Sequence, residues 1–381
     1  SGAEQGSIDE LFTRLRMQTI VQGKESYKRI ADILKTLGSK KFLLVCGKNS
    51  FDALDIQKFI DTDCPEYIRF SDFSPNPKYE QVCKGIEAFN SNGCDVIVSI
   101  GGGSAIDVAK CIKLFCKMDS NDNYLKQDFV DTEIPLIAVP TTAGTGSEST
   151  RYAVIYYNDE KQSVTHHSIV PDYAVLDSSL LKTLPIYQKK CAMLDALCQG
   201  IESWWSVNST DESKEYSKIA VETIMQNWRQ YIFEEDETAA EQIMLGSNYA
   251  GRAINITQTT APHAFSYKLT SLYGIPHGHA VSICLPVIWK KMLEKGRILN
   301  DKRGGEYLDE VFKEISKSLM ATSPAHAIEL FSNLLKGMRI ESPIITEDKL
   351  QILSVAVNPI RLGNNPVCFS NKDIKGIYIN L

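Results

Sequence analysis

The spacing of apolar residues along this chain changes near position 185. Upstream, short apolar runs bounded by polar residues recur at strand length, most clearly over residues 41–46, 95–100 and 134–139, the last cut off by Pro140. Residues 79–90 and 104–115 lie between them and carry apolar positions at three- and four-residue steps. Unbroken apolar runs separated by amphipathic helices predict a parallel sheet covered on both faces. Downstream, residues 187–205, 214–231, 239–254 and 307–319 are patterned as helices, and strand signals are few. The change predicts an α/β domain over residues 7–184 and an all-helical domain over residues 185–381. It also predicts a cleft between them, a common place for small molecules. There is no internal repeat and no low-complexity tract.

Ligands on parallel sheets sit at the carboxyl ends of the strands, so three loops carry the interest. The first, Gly47-Lys48-Asn49-Ser50, lacks the acidic residue that many dinucleotide folds place against the adenosine ribose. Gly47, Asn49 and Ser50 with Lys48 suit a 2′-phosphate and favour NADP(H) over NAD(H); an ordinary turn uses the same residues. The second is Gly101-Gly102-Gly103-Ser104. Consecutive glycines let a pyrophosphate approach the backbone, and the following helix offers it free N–H groups and a positive dipole end. This is not the GxGxxG fingerprint, and a tight turn with Ser104 as N-cap is the alternative. The third runs from Pro140 to Thr150, where Thr141, Thr142, Thr145 and Ser147 offer hydroxyls among glycines to a phosphate or ribose. A flexible linker fits poorly, because a buried strand leads in and residues 152–157 lead out as another.

The helical half holds a candidate metal set. Asp195 and Gln199 are one helical turn apart and share a face. His263 falls on a separate helix or at its end, and His277 lies in a Gly-Ile-Pro-His-Gly turn. Carboxylate and imidazole donors suit Fe(II), Zn(II), Ni(II) or Mn(II). Spacing of this kind is equally compatible with packed or surface histidines.

Bulk properties narrow the classes. A chain of 381 residues has room for two cores. The net charge of −6, with no basic block, argues against nucleic acid as the main partner. Ten cysteines without CxxC spacing read as reduced thiols of a cytoplasmic protein. The opening residues Ser1 to Gly6 have neither the basic nor the apolar stretch of an export signal. No apolar run approaches the roughly 20 residues of a membrane span.

From about Val21 onward, Gly101 to Ser104 with Asp107 and Lys110, the segment Thr141-Thr142-Ala143-Gly144-Thr145-Gly146-Ser147-Glu148, and the series Asp195, His263, His277 resemble the iron-containing (group III) alcohol dehydrogenases. The Thr141 to Glu148 segment is highly specific for that family; glycerol-dehydrogenase-like and dehydroquinate-synthase-like enzymes share the architecture but fit it less well. The resemblance implies a dinucleotide-binding α/β domain, a helical metal domain with Fe(II) or Zn(II), a homodimer, and NAD(P)-dependent interconversion of alcohol and carbonyl. It implies cofactor contacts for Asp107 and Lys161, the latter at the nicotinamide end; a solvated hairpin lysine is the alternative.

Two positions depart from the family. Gln199 stands where a third histidine is usual, and its amide oxygen binds a metal, or a metal-bound water, less firmly than imidazole would. Tyr267 stands where many members carry a proton-relay histidine, and serves either as a relay or as a packed aromatic. The chemistry expected is carbonyl reduction, with the metal as Lewis acid and the nicotinamide as hydride source. Water, the cofactor ribose, Tyr267 or His279 supplies the proton; His279 is otherwise structural. Arg151 and Lys268 fall near the expected site and suit an anionic aldehyde, unless Arg151 makes a structural ion pair and Lys268 faces solvent. The sequences around Arg151, His263 and His277 are similar to the phosphonoacetaldehyde reductase branch, which makes 2-hydroxyethylphosphonate. The alternatives are a dehydrogenase of neutral short-chain alcohols and a catalytically silent dinucleotide-binding relative.

Overall fold

The computed structural model describes residues 17–357 and 359–381. The chain divides between Leu184 and Pro185 into two compact units. The expected start of the first domain at residue 7 lies outside the described residues.

The first unit contains strands β1 (Thr19–Gln22), β2 (Lys41–Cys46), β3 (Glu66–Phe70), β4 (Val96–Gly101), β5 (Leu136–Pro140), β6 (Tyr152–Tyr157), β7 (Glu160–Thr165) and β8 (Tyr173–Leu176). Six of them form a sheet in the order β1-β8-β5-β4-β2-β3, with every pair parallel. β6 and β7 form a separate antiparallel hairpin. The helices are α1 (Arg29–Thr36), α2 (Lys48–Ala53), α3 (Gln57–Asp63), α4 (Tyr79–Ser91) and α5 (Gly103–Phe115).

Alternation within the central strands explains their unbroken apolar runs. Leu43 and Val45 of β2 pack on one face with Ile97, Val108 and Ile112. Phe42, Leu44 and Cys46 pack on the other with Val96, Val98 and Ile100. Both faces are buried, so neither set of alternating positions can be polar. β5 begins two residues later than the pattern predicts, because Pro135 has no N–H to donate; its carbonyl still accepts from Ile97 N at 3.0 Å. Pro140 closes the strand as the partner of Gly101. β2 continues to β3 on one side and β4 to β5 on the other, so β2 and β4 flank a topological switch point. The loops after β2, β4 and β5 all leave from this end of the sheet.

The second unit is built from α6 (Ile186–Trp205), α7 (Asp211–Phe233), α8 (Glu237–Thr257), α9 (Ala261–Tyr273), α10 (His277–Met292), α11 (Gly305–Ser318), α12 (Pro324–Gly337), α13 (Glu347–Val355), α14 (Pro359–Gly363) and α15 (Asn371–Ile379). Among the described residues its only strands are those of one short antiparallel ladder, β9 (Ile298–Leu299) with β10 (Val367–Cys368). An all-helical reading misses that ladder, because two residues per strand leave no periodicity.

α6 is the axis of the unit, buried continuously from Met193 to Trp205. α10 starts at His277 with Pro276 as its N-cap. The residue expected in a turn is therefore the first of a helix, where the N–H needs no intrahelical partner. At Gly278, an added Cβ would lie 1.8 Å from the Cys191 carbonyl oxygen. α10 and α6 thus meet main chain to main chain, which only glycine allows.

Candidate active site

The loops after β4 and β5 are stitched together. Thr141 N donates to Gly101 O at 3.0 Å. Gly102 faces Thr142, and a Cβ on Gly103 would lie 2.8 Å from Thr145 Cγ2. The glycines therefore make room for the threonine loop as well as leaving the start of α5 bare. Gly102 is the N-cap and makes no side-chain cap bond. Ser104 is not the cap; its hydroxyl donates to the Pro75 carbonyl.

A polar network holds the threonine loop from below. Lys110 is fully buried and its Nζ donates to Ser147 Oγ (2.8 Å), Thr150 Oγ1 (3.1 Å) and Tyr152 O (2.8 Å). Ser147 Oγ donates in turn to Asp107 Oδ1 at 2.7 Å, and Val154 N to Asp107 Oδ2 at 3.1 Å. Burial pushes the Lys110 ammonium down to about 8, against the pull of Asp107 and Glu148. Burial likewise pushes the Asp107 carboxyl up, against Lys110, Ser147, the Val154 N–H and Lys161. Asp107 and Ser147 thus turn these polar atoms to the loop and to the strand β6 that follows it. Lys161 is on the hairpin, opposite Tyr156.

Beyond β2, Gly47 caps the short α2, while Lys48, Asn49 and Ser50 are exposed. Arg69, absent from the sequence reading, fixes this loop. Its guanidinium donates to the carbonyls of Lys48 (2.9 Å) and Gly47 (3.3 Å), pairs with Asp52 at 2.8 Å and lies over the Phe51 ring.

In the second unit, Asp195 on α6, His263 on α9 and His277 on α10 converge. Asp195 Oδ1 lies 3.1 Å from His263 Nε2 and 3.5 Å from His277 Nε2. One ligand atom from each of the three falls within 4.8 Å of the others, a spacing that fits one shared ion. Asp195 and His263 are buried, whereas the His277 side chain is 38% exposed, leaving one flank open. Gln199 is buried one turn after Asp195. Burial would raise the Asp195 carboxyl, but His277 and His263 hold it below the usual range. Burial opposes charge on His263, yet Glu202 and Asp195 outweigh it and push the imidazole up to about 10.

Glu202, one further turn along α6, is the main residue the sequence reading missed. It is fully buried, and its Oε2 lies 2.5 Å from His263 Nδ1. In sequence it is only one more polar position, seven residues after Asp195, on the face that Asp195 and Gln199 share.

Tyr267 joins the cluster, its ring stacked on His277 with centroids 6.0 Å apart and planes at 13°. His279 does not. Its Nδ1 is 2.7 Å from the Tyr187 hydroxyl and its Nε2 is 2.6 Å from Glu341 O. In the first unit, Arg151 lies over the ring of Tyr152 at 5.2 Å. In the second, Lys268 is partly buried on α9 beside Tyr267.

Loops of this kind at a switch point take dinucleotides, and buried carboxylate–imidazole clusters take divalent ions; a chain with both falls among the metal-assisted oxidoreductases. The iron-containing alcohol dehydrogenase profile matches residues 18–178, and the C-terminal profile of the Fe-containing alcohol dehydrogenase family matches residues 190–381. The chain belongs to the iron-containing alcohol dehydrogenase family. It is an enzyme of the alcohol dehydrogenase and aldehyde reductase type, with a nicotinamide dinucleotide and a divalent metal as cofactors.

It is similar to the NADPH-dependent butanol dehydrogenase of Clostridium saccharobutylicum, 28% identical over 384 residues, covering 94% of this chain and 95% of that one. It is similar to the phosphonoacetaldehyde reductase of Streptomyces viridochromogenes, 36% identical over 204 residues, covering 50% of this chain and 51% of that protein. Among solved structures, the sulfoacetaldehyde reductase of Bifidobacterium kashiwanohense in complex with NAD+ superposes with a TM-score of 0.86 at 26% identity, covering 96% of each chain. Among the described residues, no helix is long and apolar enough to cross a membrane.

Proposed function

We propose that this enzyme reduces a small anionic aldehyde, with phosphonoacetaldehyde the leading candidate, using NADPH and one divalent ion, Fe(II) or Zn(II). The observation that carries the proposal is the convergence of Asp195, His263 and His277 within 4.8 Å. The described residues up to Leu184 supply the dinucleotide domain and those from Pro185 the metal and substrate domain. An ion held by the three side chains, with the Gln199 amide oxygen as a weaker fourth donor, supplies Lewis acidity to a carbonyl oxygen. A nicotinamide supplies hydride.

The chain's own residues hold and orient these groups. Gly101 to Ser104 and the α5 N-terminus receive the pyrophosphate, with Thr141, Thr142 and Thr145 beside it. Lys110, Asp107 and Ser147 keep that loop in place from beneath. Gly47, Asn49 and Ser50, with Lys48, receive a 2′-phosphate; the absence of a carboxylate at this turn removes the repulsion that would exclude it. Lys161 attends the nicotinamide end. Tyr267 fixes the plane of His277, and His279 is a structural clamp.

In this reading Arg151 and Lys268 are the cationic residues offered to a phosphonate or carboxylate group of the substrate. Two of the similar proteins are named for two-carbon aldehydes bearing an acidic group. The nearly full-length similarity to a butanol dehydrogenase favours the second reading, a neutral alcohol as substrate. A homodimer in the reducing cytoplasm completes the proposal, consistent with ten free cysteines.

The test is cofactor oxidation with phosphonoacetaldehyde, sulfoacetaldehyde, succinic semialdehyde, glycolaldehyde and propanal, each with NADPH and NADH, and with Fe(II), Zn(II) or no added metal. The proposal expects the highest kcat/KM for a two-carbon anionic aldehyde with NADPH. Equal or better turnover of propanal would replace it with the neutral-alcohol reading.

A further inference from the structure

We infer that Glu202 is a positioning residue of the metal centre, fixing His263 as the tautomer that presents an unprotonated Nε2 to the ion. The inference rests on the proposed metal centre. Glu202 is fully buried, and its two oxygens do different work. Oε1 accepts from Thr260 N (3.1 Å), Thr260 Oγ1 (3.2 Å) and His263 N (3.2 Å). These are groups at the start of α9, so this oxygen satisfies N–H groups that the helix leaves unpaired. The Trp205 indole steadies the arrangement by donating to Thr260 Oγ1 at 2.8 Å. Oε2 faces His263 Nδ1 at 2.5 Å. An ionised carboxylate only accepts, so Nδ1 carries a hydrogen toward Glu202; Nε2 faces Asp195 at 3.1 Å, and it is the hydrogen on this nitrogen that an ion shared with Asp195 would displace. A carboxylate on the far nitrogen also makes the imidazole a stronger donor.

Charge balance supports the same assignment. Among the described residues, no lysine or arginine pairs with Glu202 or Asp195, and histidines are their only ion-pair partners. A divalent ion bound with neutral imidazoles and the neutral Gln199 amide balances these two buried carboxylates. A carboxylate this deep, serving only to cap a helix, would remain an unbalanced charge. Glu202 thus ties the register of α9 to the chemistry of its third residue.

The decisive variant is Glu202→Gln. Its amide oxygen can keep the three contacts at the start of α9, which turns the NH2 group toward His263 Nδ1. That nitrogen must then accept, and the hydrogen moves to Nε2, where it opposes metal binding. The measurement is Zn(II) affinity of the full-length protein by competition with a chromophoric chelator, alongside the Co(II) visible spectrum. Melting temperature and NADPH fluorescence report on the fold.

The inference expects Zn(II) affinity to fall about 10- to 100-fold with the fold kept, and a changed Co(II) spectrum. It expects no further loss when Glu202→Gln is added to His263→Ala. Unchanged affinity, or an equal loss in the His263→Ala background, would overturn it. Should Glu202→Gln fail to fold, the wild-type zinc protein decides by NMR. A hydrogen-bonded Nδ1–H signal that disappears in His263→Ala supports the assignment, and a His263 protonated at Nε2 refutes it. If wild type and His263→Ala bind Zn(II) alike, the metal centre itself is misplaced, which is a separate failure.

Discussion

The Tyr187 hydroxyl lies 2.7 Å from His279 Nδ1. Burial pushes the Tyr187 phenol up to about 12, so it remains a donor at neutral pH. The Glu341 carbonyl, 2.6 Å from His279 Nε2, can only accept, so Nε2 carries the hydrogen and Nδ1 accepts from the Tyr187 hydroxyl. An imidazole committed in this way joins α6, α10 and the chain after α12. His279→Ala should lower unfolding free energy by about 1–3 kcal/mol, measured in urea, while the pH profile of kcat keeps its shape. A lost limb in that profile would return His279 to the proton path.

Lys110 makes a prediction about both binding and pH. Lys110→Met leaves Asp107 buried beside an apolar chain and should cost about 3–5 kcal/mol. It should also weaken NADPH binding, because Ser147 and Thr150 lose their tether. In the folded protein Lys110 titrates near 8, below the ordinary 10.5. Between those values the unfolded chain binds more protons, so this lysine's contribution to stability rises with pH across the window and is lost as pH falls through 8. The stability gap between wild type and Lys110→Met should widen from about pH 7.5 to about pH 9.5. A constant gap would show that Lys110 keeps its proton throughout.

Gln199 is buried one turn after Asp195, where the proposed centre would take an amide as its fourth donor. Gln199→His should tighten Zn(II) binding by about tenfold or more, read by chelator competition. The same change should slow the loss of activity in a chelator. An unaltered affinity would place residue 199 outside the coordination sphere.

The proposed anionic substrate makes a prediction at Arg151. Arg151→Ala should raise KM for phosphonoacetaldehyde by about 10- to 100-fold, the worth of a charge-assisted hydrogen bond, and leave propanal within about twofold. Parallel changes for both aldehydes would remove Arg151 from the substrate site.

Legibility in the sequence followed burial. β2 and β4 are enclosed on both faces, so their unbroken apolar runs stand out. β3, Glu66-Tyr67-Ile68-Arg69-Phe70, is an edge strand of which only Phe70 is buried, and Arg69 within it gave no hint that it fastens the loop after β2. The start of β5 was displaced by Pro135, whose missing N–H is plain in sequence but whose effect on the ladder is not. Asp195, His263 and His277 were legible as residue types that bind metals. Glu202 was not, because a helical carboxylate looks the same whether it meets water or an imidazole donated by α9. The roles of Asp107 and Ser147 were blurred for a related reason: a hydroxyl or carboxylate in a cofactor loop serves the ligand or the loop, and only the Lys110 network distinguishes them.

The contact of Gly278 with the Cys191 carbonyl bears on how such a centre changes over time. The helices bearing Asp195 and His277 rest on each other through their backbones, so the gap between those donors is set by the scaffold rather than by side-chain packing. In the proposed centre, an exchange at position 199 would then alter the ion's surroundings without moving those two donors. Metal preference would answer to single substitutions on a frame that stays still.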